Sequence, residues 1–459
     1  MNTAMFSKLN KLNLRPEIYT YMRASILIIT SLLFLFNSCK PRYDAAITQD
    51  DLMSSMEFLA GDELKGRYPG TPEDSLLLNY IASQFKLYRL EKFDGSYIHK
   101  FNFLSKVEPD PENSIRVKDK IHQQGIDFMP YVFSGDTDTT LEIVFCGYGY
   151  EIMEGKVHYS DYHQADVKNK WVMVLRGEPD NRPEFRKYSS ARDKAILAMD
   201  KGALGILLVS PESFSPNDAL IEPGRKSGKI SIPAIHIKRS LANDILKESD
   251  LDIIQLTELS KASETGYSVK IKGETSISVS MNNIYTSTGN VAGMIEGTDP
   301  ELKNEWVIIG AHHDHLGFGG QGSSSRRPDT LAIHYGADDN ASGVASVLEL
   351  AAYFSAPENH PKRSLLFVTF GAEELGLLGS ADFTSDYKDK MGNISAMINI
   401  DMLGRMKEDS VLQISGVGTA KELNDIILTV EEETGNKLNL KLSKAGYGPS
   451  DHASFYKNN

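Results

Sequence analysis

The chain predicts an α/β fold: a three-layer αβα domain with a mostly parallel or mixed sheet, interrupted by an inserted β-rich domain. Three observations predict it. From Trp306 onward short apolar runs alternate with helical patterns, and such alternation gives a sheet covered on both faces. Across roughly 125–270 the texture changes to β-like runs with one helical stretch among them. Four acidic or histidine-bearing phrases stand just past apolar runs, or at the start of an apolar helix, in the alternating part. Active sites of such sheets gather there, at the carboxyl ends of strands.

With 459 residues, the chain is long enough for two or three domains. Its 41% apolar and 24% charged content supplies a packed core. A net charge of −13 argues against nucleic acid as a partner, because phosphate binding needs a basic face. The two cysteines, Cys39 and Cys146, exclude a disulfide framework. Arg23 precedes an apolar run from Ala24 to Phe36 and then Asn37-Ser38-Cys39. The run is too short to span a membrane comfortably, which takes roughly 20 residues, and reads as an export signal. Cys39 after Ser38 resembles a bacterial lipoprotein cleavage site, so the chain is expected to be exported and held at the cell envelope through lipid on Cys39. Cys146 is then left alone and is expected to be buried.

The elements follow in order. Residues 50–60 read as a helix. Thr71-Pro72-Glu73-Asp74 has the cap, the first-position proline and the acids of a helix start. Leu77, Ile81, Phe85 and Tyr88 then share one buried face. Inside the insert, LEIVFCGYGY, KWVMVLRGEP, GILLVS and IPAIHI read as strands and 190–201 as a helix ending at Gly202. Beyond it come strands at 306–311, 365–370, 395–402 and 411–415, with a helix over 341–355. Thr419 to Glu422 reads as a capping box opening a helix that closes at Gly435. FGGQGSSSRR (318–327) reads as a mobile loop. The expected division is 1–39 signal segment, 40–124 first part of the αβα domain, 125–270 insert and 271–459 second part.

The four phrases carry the chemistry. In GAHHDHLG, residues 312 and 314 share one side of an extended segment. His312 can then bind metal while Asp314 braces it or a neighbour, and His313 and His315 point away. Asp338-Asp339-Asn340 precedes a helix whose small residues allow close approach; alone, an Asp there is more often an N-cap. Glu373 and Glu374 lie at the mouth of the strand LLFVTF. Two such carboxylates should diverge, one to metal and one to water as a base. Asp401 sits in the apolar run INIDMLG, where a carboxylate is costly unless paired or ligated. One imidazole and several carboxylates suit Zn²⁺ or a similar ion. On sequence alone His452 would be the last ligand.

As an ordered set, GAHHDHLG, GADDNASG, GAEELGLLGS, NIDMLGR and PSDHASF resemble the co-catalytic zinc aminopeptidase family, which includes aminopeptidase Y, glutamate carboxypeptidase II and glutaminyl cyclase. LAGDELKGRYPGT resembles its N-terminal segment, and VFCGYGY through IPAIHI its protease-associated insert. The resemblance implies a zinc-exopeptidase-like domain that removes N-terminal residues from peptides. His312, Asp339 and Asp401 would hold one zinc. Asp339 would bridge to a second that also takes Glu374, and the peptide bond after Asp339 would be cis. Glu373 would be the general base toward water held by metal. Asp314 would stand behind the ligands. Asp451 and His452 would line the substrate pocket rather than touch metal. The family's last zinc ligand comes from a later stretch, so the resemblance implies a chain incomplete at its C-terminus. It then leaves two protein ligands for the second zinc and metal content nearer one than two. The alternatives are a glutaminyl cyclase-like acyltransferase, which the retained His312, Glu373 and Glu374 oppose, and a catalytically impaired binding module.

Overall fold

The computed structural model describes residues 46–458, apart from 155–156, 180–181, 223, 225–227, 321–322, 407–410 and 436–437. The expected signal segment with Cys39, and two residues of the Gly/Ser-rich stretch 318–327, lie outside the described residues. Among those described, no helix is long and apolar enough to cross a membrane.

The expected αβα domain forms around a six-stranded mixed sheet. Its main path runs Glu91–Lys92, Met281–Ile295, Ser364–Phe370, Trp306–His312, Ile394–Asn399, with Ile98–Pro109 pairing alongside Met281–Ile295. The last three strands of that path are parallel to one another, so their carboxyl ends open on one edge. Period-two alternation assigns the faces. Ile309, Ala311, Leu365 and Phe367 pack under the helices Pro72–Leu87 and Ser342–Ser355, against Leu77, Ile81, Phe85, Val344 and Leu348. Ile308, Leu366, Val368 and Phe370 face the opposite way, against Phe383 and Phe455 of the helices Leu378–Asp386 and His452–Asn458. Thr71 caps the first of these helices through the Asp74 N–H, with Pro72 in its first turn.

The second sheet has eight strands. Thr137–Phe145, Trp171–Leu175, Gly205–Val209 and Ala234–Ile237 are parallel neighbours at its centre. Trp171 through Leu175 are all fully buried, which explains why these runs carry no polar alternation. Ser114–Val117 and Val269–Val279 join this sheet by antiparallel pairing. Cys146 is buried here, and burial raises its thiol pKa.

Two local expectations are corrected. The strand expected over 395–402 ends at Asn399. The Ile400 N–H still bonds to Gly310, but Met402 takes a positive φ of 61°, which turns Asp401 out of the ladder. The capping box at 419–422 does not form. The Thr419 hydroxyl donates to the Gly416 carbonyl at 2.7 Å, and the helix begins at Leu423 with no side-chain cap. It closes at Gly435, whose φ of 64° is left-handed.

Candidate metal centre

Each element ends where a polar side chain is needed. His312 is the last residue of its strand and only 1% exposed. Its Nε2 lies 3.2 Å from Asp339 Oδ1 and 3.5 Å from Asp401 Oδ1. Ligands about 2.0–2.2 Å from a tetrahedral zinc stand about 3.3–3.5 Å apart, so this trio fits such an ion. Burial alone would lower the His312 pKa, but Asp339 and Asp401 outweigh it and raise it well above the ordinary value. Asp401 opposes its own burial through the same contact and is lowered. Ser450 donates to Asp401 Oδ2 at 2.8 Å and accepts from Asn399 at 2.7 Å, which fixes the carboxylate plane.

Asp339 belongs to a second trio. One ligand atom each from His315, Asp339 and Glu374 lie within 4.8 Å of one another, as they do in His312, Asp339 and Asp401. The expectation that His315 points away is therefore overturned. Its Nδ1 is 2.7 Å from Glu374 Oε1. The physical reason is that the strand stops at His312, and strand alternation says nothing beyond it. His313 does face away: its Nδ1 is 3.1 Å from Thr369 Oγ1, and burial pushes its pKa down to about 3.

The Asp339–Asn340 peptide is cis. The helix after it is not capped by either aspartate. Asn340 Oδ1 accepts the N–H groups of Gly343 at 3.0 Å and Met402 at 3.2 Å, and its amide donates to Ile400 at 2.9 Å. Asp338 instead accepts from the Gly404 N–H at 2.8 Å. A side chain at Gly343 would meet Asn340 Oδ1 at 2.4 Å and the Ile400 carbonyl at 2.5 Å, so the phrase GADDNASG needs a glycine where helix and loop touch.

Asp314, fully buried, braces the acidic pair rather than His312 alone. Its Oδ1 accepts the Glu373 N–H and its Oδ2 the Glu374 N–H, while His312 Nδ1 is 3.8 Å from Oδ1. Burial raises its pKa to about 7. Burial, with Asp451, Asp314 and Glu374 adding and His312 opposing, raises Glu373 to about 8; its Oε2 is 4.0 Å from His312 Nδ1. Asp451 is fully buried and raised to about 6, mainly by burial. Among the described residues, His452 is in neither trio; burial lowers its pKa.

Sequence reasoning missed Arg67. Fully buried, its guanidinium donates to the carbonyls of Leu59, His313, Tyr335 and Gly336 at 2.6–2.8 Å. It ties the His312–His315 segment to the loop that carries Asp339. Burial lowers its pKa to about 10 despite the attraction of Asp314, Asp339 and Glu374. The clue was an arginine in a Gly/Pro-rich loop, which nothing local distinguishes from a solvated one.

Comparison with known proteins meets this geometry. Residues 290–459 match the model of Peptidase family M28, and residues 139–245 that of the PA domain. A probable zinc metalloprotease of Pyrenophora tritici-repentis is 33% identical over 141 residues, 31% of this chain and 29% of that protein. The match thus spans less than a third of that relative's length. Aminopeptidase YwaD of Bacillus subtilis is 24% identical over 403 residues, 85% of this chain and 70% of that protein. An aminopeptidase from Aneurinibacillus sp. strain AM-1 superposes with a TM-score of 0.47 at 22% identity, covering 91% of this chain and 83% of the other.

Proposed function

We propose that this chain, in which residues 290–459 belong to Peptidase family M28 and residues 139–245 form a PA domain, is a zinc-dependent exopeptidase that removes N-terminal residues from peptides. The observation that carries the reading is the pair of trios sharing Asp339 beside a partly buried Glu373. A divalent ion bound there would polarise a peptide carbonyl and make water acidic near neutral pH. The residues do the rest. Glu373 takes the proton of the attacking water on its carboxylate and passes it to the departing amine. One positioned carboxyl group serves both directions of that transfer, as base and then as acid. Asp314 holds the Glu373–Glu374 backbone, and Ser450 holds Asp401, so the groups are positioned before substrate arrives. Asp451 and His452 line the substrate side.

The wider reading rests on the sequence pattern. Residues 1–39 export the chain and Cys39 anchors it by lipid at the cell envelope; the insert, expected over 125–270, takes in the strands Ser114–Val117, Lys120–Gln123 and Val269–Val279 that join its sheet, and the flanking residues on either side form the catalytic domain. The insert shapes access to the cleft; that rests on analogy with other PA-bearing peptidases.

The test is a substrate panel. Aminoacyl p-nitroanilides with a free α-amine should be hydrolysed and their N-acetyl counterparts spared. Equal cleavage of both sets would overturn the exopeptidase reading. Cyclisation of glutaminyl peptides without hydrolysis would favour the acyltransferase.

A further inference from the structure

Building on the proposed peptidase reading, we infer that a cavity beside the Glu373–Glu374 turn receives the residue beyond the scissile bond, and that Asp382 makes it select a basic side chain there. The cavity has a volume of about 660 Å³ and is lined by residues 101–104, by Leu378 and Asp382, and by Gly228 of the insert. Pockets of roughly 300–1,000 Å³ take small ligands and commonly form where domains meet. Asn102 and Gly228 are exposed at its rim, so it opens to solvent.

Position links the cavity to the reaction. Leu375 and Leu378 pack with Phe101, Phe103 and Ala372 in one apolar cluster. The Leu377 N–H donates to the Glu373 carbonyl at 2.8 Å, and the Leu378 N–H to that of Ala372 at 3.1 Å. The cavity wall therefore starts on the turn that carries Glu373. Glu373 hands its proton to the departing amine, so the part of the substrate that leaves lies on this side. Side chains alternate along a strand, so four consecutive residues line one cavity where the strand turns an edge to it. Among the described residues the strand Ile98–Pro109 pairs only with Met281–Ile295, which leaves its other edge free to take an extended peptide.

Chemistry selects the side chain. Phe101 and Phe103, 8% and 4% exposed, make apolar walls with Leu104 and Leu378. Among the described residues lining the cavity, Asp382 alone carries charge. It is half-buried, and among the described residues its carboxylate has no hydrogen-bond or ion-pair partner. Burial, with Asp386 one turn on, raises its pKa to about 6. An acid on a helix is ordinarily just solvated, but one held against apolar walls without a partner is costly. A cation brought by the substrate removes that cost. Lysine and arginine supply an apolar stem for the walls and a charged tip for the carboxylate, and phenylalanine faces attract the same charge.

The test compares peptides that differ only in their second residue, X-Lys-Ala, X-Met-Ala and X-Glu-Ala, by initial release of X, the terminal residue best accepted as its p-nitroanilide. The wild type should cleave the lysine peptide with a kcat/KM ~10–100-fold above the methionine peptide, the span of one hydrogen bond to a charged group, and the glutamate peptide least. In Asp382→Asn the lysine-to-methionine ratio should fall toward one. In Asp382→Lys the order should invert, with glutamate ahead of lysine. A ratio cancels general damage to turnover, and a merely structural role cannot invert the order. Ratios that match the wild type in both variants overturn the inference, as does a wild type with no preference among the three peptides. A loss seen in Asp382→Asn on lysyl p-nitroanilide but not on the peptides puts the cavity on the other side of the scissile bond and equally overturns it. A wild type that releases no terminal residue from any peptide or p-nitroanilide sinks the peptidase reading itself.

Discussion

Oδ1 of Asp314 accepts the backbone N–H of Glu373 at 2.9 Å, while its other oxygen accepts that of Glu374 at 3.2 Å. One buried carboxylate at the end of one strand thereby sets the turn at the end of its parallel neighbour. Asp314→Asn keeps the shape but offers one oxygen and an NH₂ to two N–H groups. Turnover should fall by ~10–100-fold, with the melting temperature of the variant close to that of the wild type. Unchanged kcat would show that the turn holds itself.

Among the described residues Glu373 belongs to neither trio, which separates chemistry from ligation. Glu373→Gln should keep the metal content of the wild type and slow hydrolysis of an aminoacyl p-nitroanilide by about 10²–10⁴-fold. Near-normal turnover would remove Glu373 as the base. A drop in bound zinc would make it a ligand instead.

How much of this was legible follows from where each signal lies. Asp401 could be read because a lone carboxylate in an apolar run is a local anomaly, and His312 because alternation still governs the last residue of its strand. The layers could be read because apolar runs alternate with helical patterns, and Ile308 and Ile309, or Leu366 and Phe367, do pack into opposite layers. His315 could not, because it lies past the point where alternation governs direction. Arg67 could not, because its partners lie up to 269 residues away. Thr419 misled because its hydroxyl found a turn carbonyl three residues back, a competition that serine and threonine always offer a helix start.

Arg67 is fully buried and donates to four carbonyls. Arg67→Leu fills the volume but leaves those acceptors bare, at a cost of at least ~3 kcal/mol. Urea unfolding should show it as a lower midpoint with the slope little changed. Arg67→Lys should fall between, since one ammonium cannot reach four carbonyls in a plane. A shift below ~0.5 kcal/mol for Arg67→Leu would mean that the loops find other partners.

Lys194 makes the insert's stability depend on pH. It is 1% exposed, and its Nζ donates to the carbonyls of Leu175 at 2.8 Å and Gly177 at 2.7 Å, beneath the Tyr150 ring at 4.5 Å. Burial lowers its pKa to about 7, with Asp161 and Glu178 opposing. An unfolded lysine titrates near ~10.4. Between these values the unfolded chain binds the extra proton, so stability rises with pH from about 7 toward 10, by up to ~1.4 kcal/mol per unit. Asp161, raised by burial to about 6, acts in a separate window: the folded chain binds the extra proton there, so its contribution falls as pH rises toward 6. Lys194→Met keeps the length and removes the titration. Unfolding of both proteins across pH 7, 8, 9 and 10 should give a stability difference that favours the variant most at pH 7 and shrinks as pH rises. Parallel curves would show that Lys194 keeps its charge in the fold, held by the two carbonyls and Asp161.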